Sequence, residues 1–171
     1  MILGYKCFNK DLTNRYGIKF EVGKTYNANG EIKFGTTDYR THSHGLHMCK
    51  NIEDTFRFFD TFNEEVCICE VRGMGGKCTY NDEYNGYYDM YSVEILEIIR
   101  IINREELINM ALNLNQLRVE RFVTNYKLSK DEIELFKEKF SYSPRVLRAI
   151  AYYQEGDIQA YGKIYIYKRS K

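Results

Sequence analysis

The stretch YSVEILEIIRIINREELINMALNLNQL, residues 91–117, contains the change of pattern that decides the fold. Up to Ile102 it is rich in β-branched residues with short polar interruptions, a composition that favours a β-strand. After Asn103 the apolar residues recur at every third or fourth position, which is the spacing of an amphipathic helix. The period therefore changes from that of a strand to that of a helix within one continuous segment.

No segment rich in Gly or Ser and no internal repeat separates the strand-like part from the helical part. A chain of 171 residues is also within the usual size of one domain. We therefore predict an α+β fold in a single domain, 1–171. Its β-rich part covers about 1–102 and includes one packed helix, and its helical part covers about 103–156. Ile and Tyr alternate over 163–168 and allow a final strand there.

Short apolar or alternating runs, bounded by turn residues, predict the strands of the β-rich part. These runs lie at 2–8, 18–22, 31–34, 46–49, 65–72 and 91–102. Residues 13–17 and 27–30 are predicted to be turns. Asn51 suits the N-cap of a helix over about 52–62, whose phenylalanines would pack against the sheet.

In the helical part, polar residues mark the points where helices begin. Ser129 and Glu132 form a capping box ahead of an apolar stripe. Ser143 followed by Pro144 combines an N-cap with the proline that suits the first helical position. We predict a helix from each point, with Gly156 ending the second one.

The overall composition excludes several classes of function. The net charge of +1 gives no attraction of the whole protein to nucleic acid or to anionic lipid. No apolar run is long enough for a transmembrane helix, and the first ten residues do not resemble a secretion signal. Five cysteines without an export signal indicate reduced thiols. We expect a cytoplasmic protein with no membrane association, and its oligomeric state stays open.

A group of potential metal ligands lies in the middle of the β-rich part. All three histidines and one cysteine occur within eight residues, at His42, His44, His47 and Cys49. Cys67 and Cys69 lie on a predicted strand nearby. Zinc favours such nitrogen and sulfur ligands, but the usual paired spacings of zinc sites are absent. We therefore expect no metal site and no resident cofactor, with Cys7, Cys67 and Cys69 packed as small apolar residues and the loop histidines solvated.

The glycine-rich segment RGMGGK, residues 72–77, invites comparison with a phosphate-binding loop. It lacks the order of residues found in such loops, and no helix is predicted directly after it to bind a phosphate at its N-terminus. We predict a flexible turn between two strands.

Basic and aromatic residues alternate near the C-terminus. The candidate binding residues there are Arg145, Arg148, Tyr152, Lys163, Tyr165 and Tyr167. Such a surface can stack nucleic-acid bases or bind a protein, and the chain has 16 tyrosines and no tryptophan. We favour a protein partner and keep nucleic acid as an alternative.

Three segments carry a family resemblance: GYKCFNKDL at 4–12, FEVGKTY at 20–26 and GLHMCKN at 45–51. They resemble an uncharacterised family of small phage and bacterial proteins, which begin Gly-Tyr-Lys-Ala-Phe and contain Gly-Phe-His-x-Cys. From this resemblance, the tyrosine excess and the lack of a complete catalytic set, we favour a non-catalytic protein that binds and inhibits or modulates a host enzyme or defence complex, with an anti-CRISPR-like role as one case. Tyr5 and Lys6 stand in the first motif and join the candidate binding residues.

The same layout is more distantly similar to ADP-ribosyltransferase-like domains. In those domains a first strand presents His or Arg to the ribose of NAD, and later strands supply a Tyr and a Glu. This likeness implies an alternative, an enzyme that handles NAD with His47 in the cleft and Glu94 as the acid. The expected His or Arg would fall at Tyr5 and Lys6, where it is missing.

Overall fold

The computed structural model describes residues 1–14, 16–30, 32, 44–58, 66–81 and 89–160. These residues form two compact units, one within 1–102 and one from Asn103 onward. The first unit consists mainly of strands and includes one short 3₁₀ helix, and the second consists of helices. The predicted α+β class, with its β-rich and helical parts, is confirmed. That the two units form one domain stays a prediction.

The strand unit is a sheet that closes on itself. Its strands are β1 (Ile2–Asn9), β2 (Thr25–Asn27), β3 (Leu46–Cys49), β4 (Val66–Asn81) and β5 (Asp89–Ile101). Every pairing is antiparallel: β1 pairs with β3 and β4, and β5 pairs with β3, β4 and β2. The strands β1, β3, β5 and β4 therefore form a ring, and β2 extends it alongside β5.

The alternation of side chains gives this ring an inner and an outer face. The inner face buries one apolar cluster, whose fully enclosed members are Phe8, Phe20, Met48, Cys69, Val71, Val93, Leu96 and Ile98. On the outer face, a short 3₁₀ helix, Ile52–Phe58, packs against β1 and β3 and buries Ile52 and Phe56. Each strand of the ring thus has a defined inside and outside.

The close approach of β1 and β3 depends on Gly4. A Cβ atom at this position would lie 2.2 Å from the carbonyl oxygen of Cys49 and 2.5 Å from Cε of Met48. The first of these is a backbone atom that cannot rotate away. Any side chain at Gly4 would therefore push the two strands apart.

Two predictions for the strand unit are wrong. Residues 18–22 do not form a strand: Phe20 is buried, whereas Ile18 and Val22 point outward. The glycine-rich segment 72–77 is not a flexible turn, because β4 runs through it and pairs with β5. A break in register between Met74 and Lys77 lets the strand continue as a bulge.

The other strand predictions are confirmed where the structure describes them, at β1, β3 and β5 and in the first part of β4. The helix predicted over 52–62 is a 3₁₀ helix over its described part, and Glu53 and Asp54 lie in its first turn. The rest of that helix and the strands predicted at 31–34 and 163–168 lie outside the described residues, Ile32 excepted.

The helical unit contains α1 (Arg104–Leu112), α2 (Gln116–Asn125), α3 (Lys130–Lys139) and α4 (Pro144–Ala149), and a π-helical segment, Ile150–Gln154, continues α4. The apolar stripe that crosses 104–117 is divided between two helices, because the Asn115 side chain accepts the N–H groups of Leu117 and Arg118 and starts α2. The predicted capping box of Ser129 is confirmed, as is the cap of Ser143 ahead of a proline. No helix within the described ranges is both long enough and apolar enough to cross a bilayer.

Two polar side chains hold the helices of this unit together. Gln154, at the end of the π-helical segment, donates to the carbonyls of Val123 and Tyr126 and accepts from the N–H of Leu128. It thereby satisfies backbone groups that the end of α2 leaves open. Arg104 donates two hydrogen bonds, of 2.8 and 2.7 Å, to the carboxylate of Glu132.

Replacement of Gly4 by alanine is expected to lower the free energy of unfolding by about 1–3 kcal/mol, because the added methyl group overpacks the junction of β1 and β3. The matched control is Gly76→Ala on β4, where the nearest atom to a new Cβ is 3.6 Å away. Urea denaturation of both variants measures the difference. Equal stability of the two variants would contradict the close approach.

A second prediction concerns the pH dependence of the helical unit. Partial burial raises the pKa of Glu132, but hydrogen bonds from Arg104 and Ser129 outweigh this and lower the pKa below its ordinary value. The carboxylate therefore contributes stability above pH 4.5, and this contribution is lost as the pH falls through the lowered pKa. Glu132→Gln should lose about 1 kcal/mol near neutral pH.

Denaturation midpoints across the acid range test this expectation. The difference between wild type and Glu132→Gln should shrink in acid, whereas the exposed Glu138→Gln on the same helix should match wild type throughout. A constant difference at every pH would argue against a role for the charge.

Candidate functional site

His47 and Glu94 lie on neighbouring strands, and Glu94 stands opposite the bulge of β4. His47, half-buried on β3, pairs with Ser92 on β5, and Glu94 follows Ser92 by two residues. The exposed Glu94 carboxylate accepts the backbone N–H of Gly76 at 2.9 Å, across the bulge of β4. The carboxylate predicted as the acid of the enzyme is thus already hydrogen-bonded to the backbone of β4.

Tyr5 and Lys6 point to opposite faces of β1. Lys6 lies opposite Cys69 on the inner face, where its Nζ donates to the carbonyl of His47 at 2.5 Å and lies 5.6 Å from the centre of the Phe8 ring. Tyr5 is half-buried on the outer face, opposite Cys49. The structure does not bring these two candidate binding residues into one surface.

The predicted C-terminal surface is described only in part. Arg145 forms an ion pair with Glu120 of α2, so its charge is already neutralised. Arg148 and Tyr152 are half-buried, and the Tyr152 ring makes an edge contact with Tyr153 at 4.7 Å. Lys163, Tyr165 and Tyr167 lie outside the described residues.

The potential zinc ligands lie on opposite faces of the ring. His47 and Cys49 share the outer face of β3, whereas Cys67 and Cys69 share the inner face of β4. His44 bonds through its ring nitrogen to the carbonyl of Asn29. His42 lies outside the described residues, and among those described no three His, Cys, Asp or Glu side chains are grouped as metal ligands.

A shallow groove of about 480 Å³ runs along α1 in the helical unit. It is lined by Asn103, Glu105, Glu106, Asn109, Met110 and Asn113. None of the predicted site residues is among them. Its lining is mostly polar, so the groove offers little apolar area to a ligand.

A surface that the sequence did not predict lies between β1 and β2. We call its described residues, 11–14 and 16–24, the 11–24 loop. Its tip is built on Asn14, whose side-chain oxygen accepts the N–H groups of Tyr16 at 2.9 Å and Ile18 at 3.0 Å. Gly17 adopts a φ of +77°, which completes the predicted turn at 13–17. The backbone of the tip is therefore held by its own hydrogen bonds.

Phe20 anchors this loop in the core. Its ring is 2% exposed and packs between Phe8 at 5.0 Å and Tyr26 at 4.6 Å. The Tyr26 hydroxyl accepts the N–H of Glu21, and the N–H of Gly23 donates to the carbonyl of Ile98 on β5. The second half of the loop is thus tied to the sheet at successive positions.

The first half of the loop is fixed by Asp11 and Leu12. The Asp11 carboxylate accepts the side-chain O–H and the N–H of Thr13, and these bonds lower the pKa of Asp11. Leu12 has a φ of +64°, a conformation that costs a non-glycine residue roughly 1–2 kcal/mol. Its side chain packs against the buried cluster, which compensates for this cost.

Three large apolar side chains project from this fixed backbone. Tyr16 is 71% exposed, Ile18 54% and Val22 46%. The pattern 18–22 suggested a strand with one buried face, but only Phe20 enters the core. The sequence contained one indication of this exposed surface. The turn residues Asn14 and Gly17 are followed by more bulky residues than one short segment can bury.

A family model described as "Domain of unknown function (DUF7666)" matches residues 2–109. This span is more than half of the 171 residues. The chain belongs to that family. The family's span contains all five strands and the 11–24 loop and ends within α1, so α2 and the later helices lie beyond it. No curated protein and no solved structure matches the chain.

Replacement of Phe20 by alanine is expected to lower the free energy of unfolding by about 3–5 kcal/mol, because it removes the aromatic anchor between Phe8 and Tyr26. The exposed neighbour serves as the control: Ile18→Ala should change stability by no more than about 0.5 kcal/mol. Urea denaturation gives both values, and amide hydrogen exchange over 11–24 reports the loosened loop. Similar losses in the two variants would show that Phe20 is not the anchor.

Proposed function

We propose that this chain is a non-catalytic protein-binding module that docks on its partner through the 11–24 loop. The observation that carries the proposal is the exposure of Tyr16, Ile18 and Val22 on a backbone tied down on both sides. Single exposed apolar side chains are common on protein surfaces. Three of them within seven residues of one fixed loop form an arrangement that an apolar pocket on a partner can recognise.

The fixed backbone supports this role because it reduces the entropic cost of binding. A mobile loop loses conformational freedom when it docks, and that loss subtracts from the affinity. In the 11–24 loop the hydrogen bonds of Asn14 and the packing of Phe20 have already ordered the backbone in the free protein. The exposed side chains of Tyr16, Ile18 and Val22 can then contact the partner without the cost of ordering the main chain that carries them.

The charges around the loop indicate the chemistry of the partner. Lys10, Lys19 and Lys24 are exposed along it, against the exposed carboxylates of Asp11 and Glu21. Lys19 also donates to the backbone carbonyl of Asp11, which keeps its ammonium group beside the loop. An apolar pocket with an acidic rim is therefore the complementary surface.

The resemblance to small phage and bacterial proteins supplies the class of partner. It implies a host protein, so we propose that the module inhibits or modulates a host complex, with a defence complex as the favoured case. A nucleic-acid partner bound through the C-terminal basic surface stays a prediction, and the ion pair of Arg145 with Glu120 gives it no support.

The alternative enzyme that handles NAD also stays a prediction. The described contacts do not favour it over binding. The carboxylate of Glu94 accepts a backbone N–H from Gly76, and the amine of Lys6 donates to the backbone of His47. Both polar groups therefore form hydrogen bonds to the backbone within the strand unit.

Affinity capture from a host lysate with matched variants tests the docking loop. The variant Tyr16→Ser/Ile18→Asp should lose at least about tenfold in affinity for the captured partner, since each side chain contributes about 1 kcal/mol or more of apolar burial. Binding of the purified partner by calorimetry measures the loss.

The helical unit offers a control that matches the exposure of both side chains. Tyr142 is 71% exposed and Leu117 is 54% exposed, the same fractions as Tyr16 and Ile18. The variant Tyr142→Ser/Leu117→Asp should keep the wild-type affinity, and both double variants should keep the wild-type melting temperature. If the control variant loses the partner and the loop variant keeps it, docking through the 11–24 loop is wrong.

A further inference from the structure

Two asparagines lie close together at the end of β2, and they differ in the residue that follows them. Asn27 precedes Ala28, whereas Asn29 precedes Gly30. Asn29 and Gly30 are both exposed, and Gly30 has a φ of +91°. A backbone nitrogen can attack the side-chain carbonyl of the asparagine before it, and glycine hinders this attack least because it has no Cβ. Asn29 is therefore the asparagine that the local sequence exposes to such an attack.

The two backbone nitrogens also differ in their hydrogen bonds. The N–H of Ala28 donates to the carbonyl of Glu94 on β5 at 2.7 Å, so the nitrogen that follows Asn27 is already engaged. Within the described ranges, no residue accepts a hydrogen bond from the N–H of Gly30. The nitrogen that follows Asn29 is therefore the one available to react.

His44 contacts the peptide bond that joins Asn29 to Gly30. Its ring Nε2 is hydrogen-bonded to the carbonyl oxygen of Asn29. Because a carbonyl oxygen can only accept, Nε2 carries the hydrogen and is the donor. A Cβ at Gly30 would lie 3.1 Å from Nε2, so the glycine also makes room for the ring.

Both sides of this contact are fastened to β5. On one side the N–H of Ala28 bonds to the carbonyl of Glu94, and on the other the hydroxyl of the buried Ser92 donates to the carbonyl of His44 at 2.8 Å. Ser92 and Glu94 are two residues apart on the same strand. The backbone of His44 is therefore held next to the segment that contains Asn29.

We propose that Asn29 is a site of spontaneous deamidation, in which His44 assists the attack of the Gly30 nitrogen on the Asn29 side chain. The attacking species is the peptide anion that forms when the Gly30 nitrogen loses its proton. Much of the charge of this anion lies on the carbonyl oxygen of Asn29, so an N–H donor at that oxygen stabilises it. This site does not depend on the docking role of the 11–24 loop.

The reaction consumes water and needs no other reagent. The Gly30 nitrogen gives up its proton to the solvent and bonds to Cγ of Asn29. The bond from Cγ to the side-chain nitrogen breaks, and that nitrogen takes up protons from the solvent and leaves as ammonia. The product of this step is a cyclic succinimide.

Water then opens the succinimide. It adds to one of the two ring carbonyls, and the bond from that carbonyl to the ring nitrogen breaks. Opening at Cγ leaves an aspartate in a normal main chain, whereas opening at the backbone carbonyl leaves an isoaspartate, whose side chain has become part of the main chain. In both cases the asparagine and one water have become an acid and one ammonia.

Mass spectrometry of the wild-type protein tests the proposal, because trypsin releases residues 25–33 as one peptide that contains both Asn27 and Asn29. After incubation of the folded protein at neutral pH for several days, we expect this peptide to gain about 1 Da, as an amide becomes an acid. Fragmentation should place the acid at Asn29 and leave Asn27 unchanged. Digestion in heavy-oxygen water marks any deamidation that occurs during the digest.

Variants of His44 and Gly30 test the assistance. His44→Ala should slow the reaction at Asn29 by at least about fivefold, because one hydrogen bond to the anion is lost. His44→Gln keeps an N–H donor and should restore part of the rate. Gly30→Ala should stop the reaction, since the added Cβ shields the nitrogen.

The same digests contain an internal reference. Peptide 78–100 carries the same dipeptide, Asn85-Gly86, which lies outside the described residues. Its rate should be equal in wild type and in both His44 variants, which separates the loss of one hydrogen bond from a general loosening of the fold. The proposal is overturned if Asn29 of the wild type stays intact, or if it reacts in His44→Ala as fast as in wild type.

Discussion

The pairing of β4 with β1 along one edge and with β5 along the other holds the strand unit together. Together with the pairings of β3, it closes the sheet into a ring, and closure separates an enclosed face from an outer one. Side chains alternate between these faces, so the register decides the environment of each residue. Through this alternation Cys67 and Cys69 face the apolar cluster, whereas His47 and Cys49 lie outside it.

Local features of the sequence predicted the fold class and the starts of α3 and α4. A capping side chain bonds to N–H groups two or three residues away, so Ser129 and Ser143 act within the same short window that a sequence displays. The course of the glycine-rich segment was not predictable in this way. Glycines suit a turn and a bulge equally, and the pairing of β4 with a distant strand decides between them.

The 11–24 loop was not predictable for the same reason, because its structure depends on distant parts of the chain. Ile18, Phe20 and Val22 carry the alternation of a strand, but the core has a place for only one of them, between the rings of Phe8 and Tyr26. That place is created by residues elsewhere in the chain. His47 was predicted from a motif, and its position on β3 is confirmed. Its face follows from pairings that a motif does not contain.

The closed ring also has a consequence for the order of folding. Ile2 pairs with Gly73, and the last strand of the ring ends at Ile101, so closure joins distant parts of the chain. In the helical unit the side chain of Gln154 reaches back 31 residues to Val123, and most helical bonds are far more local. Folding slows as contacting residues become more distant in sequence. During synthesis the ring therefore cannot close until Ile101 has emerged, and the strand edges stay exposed until then. The helices can form soon after they appear.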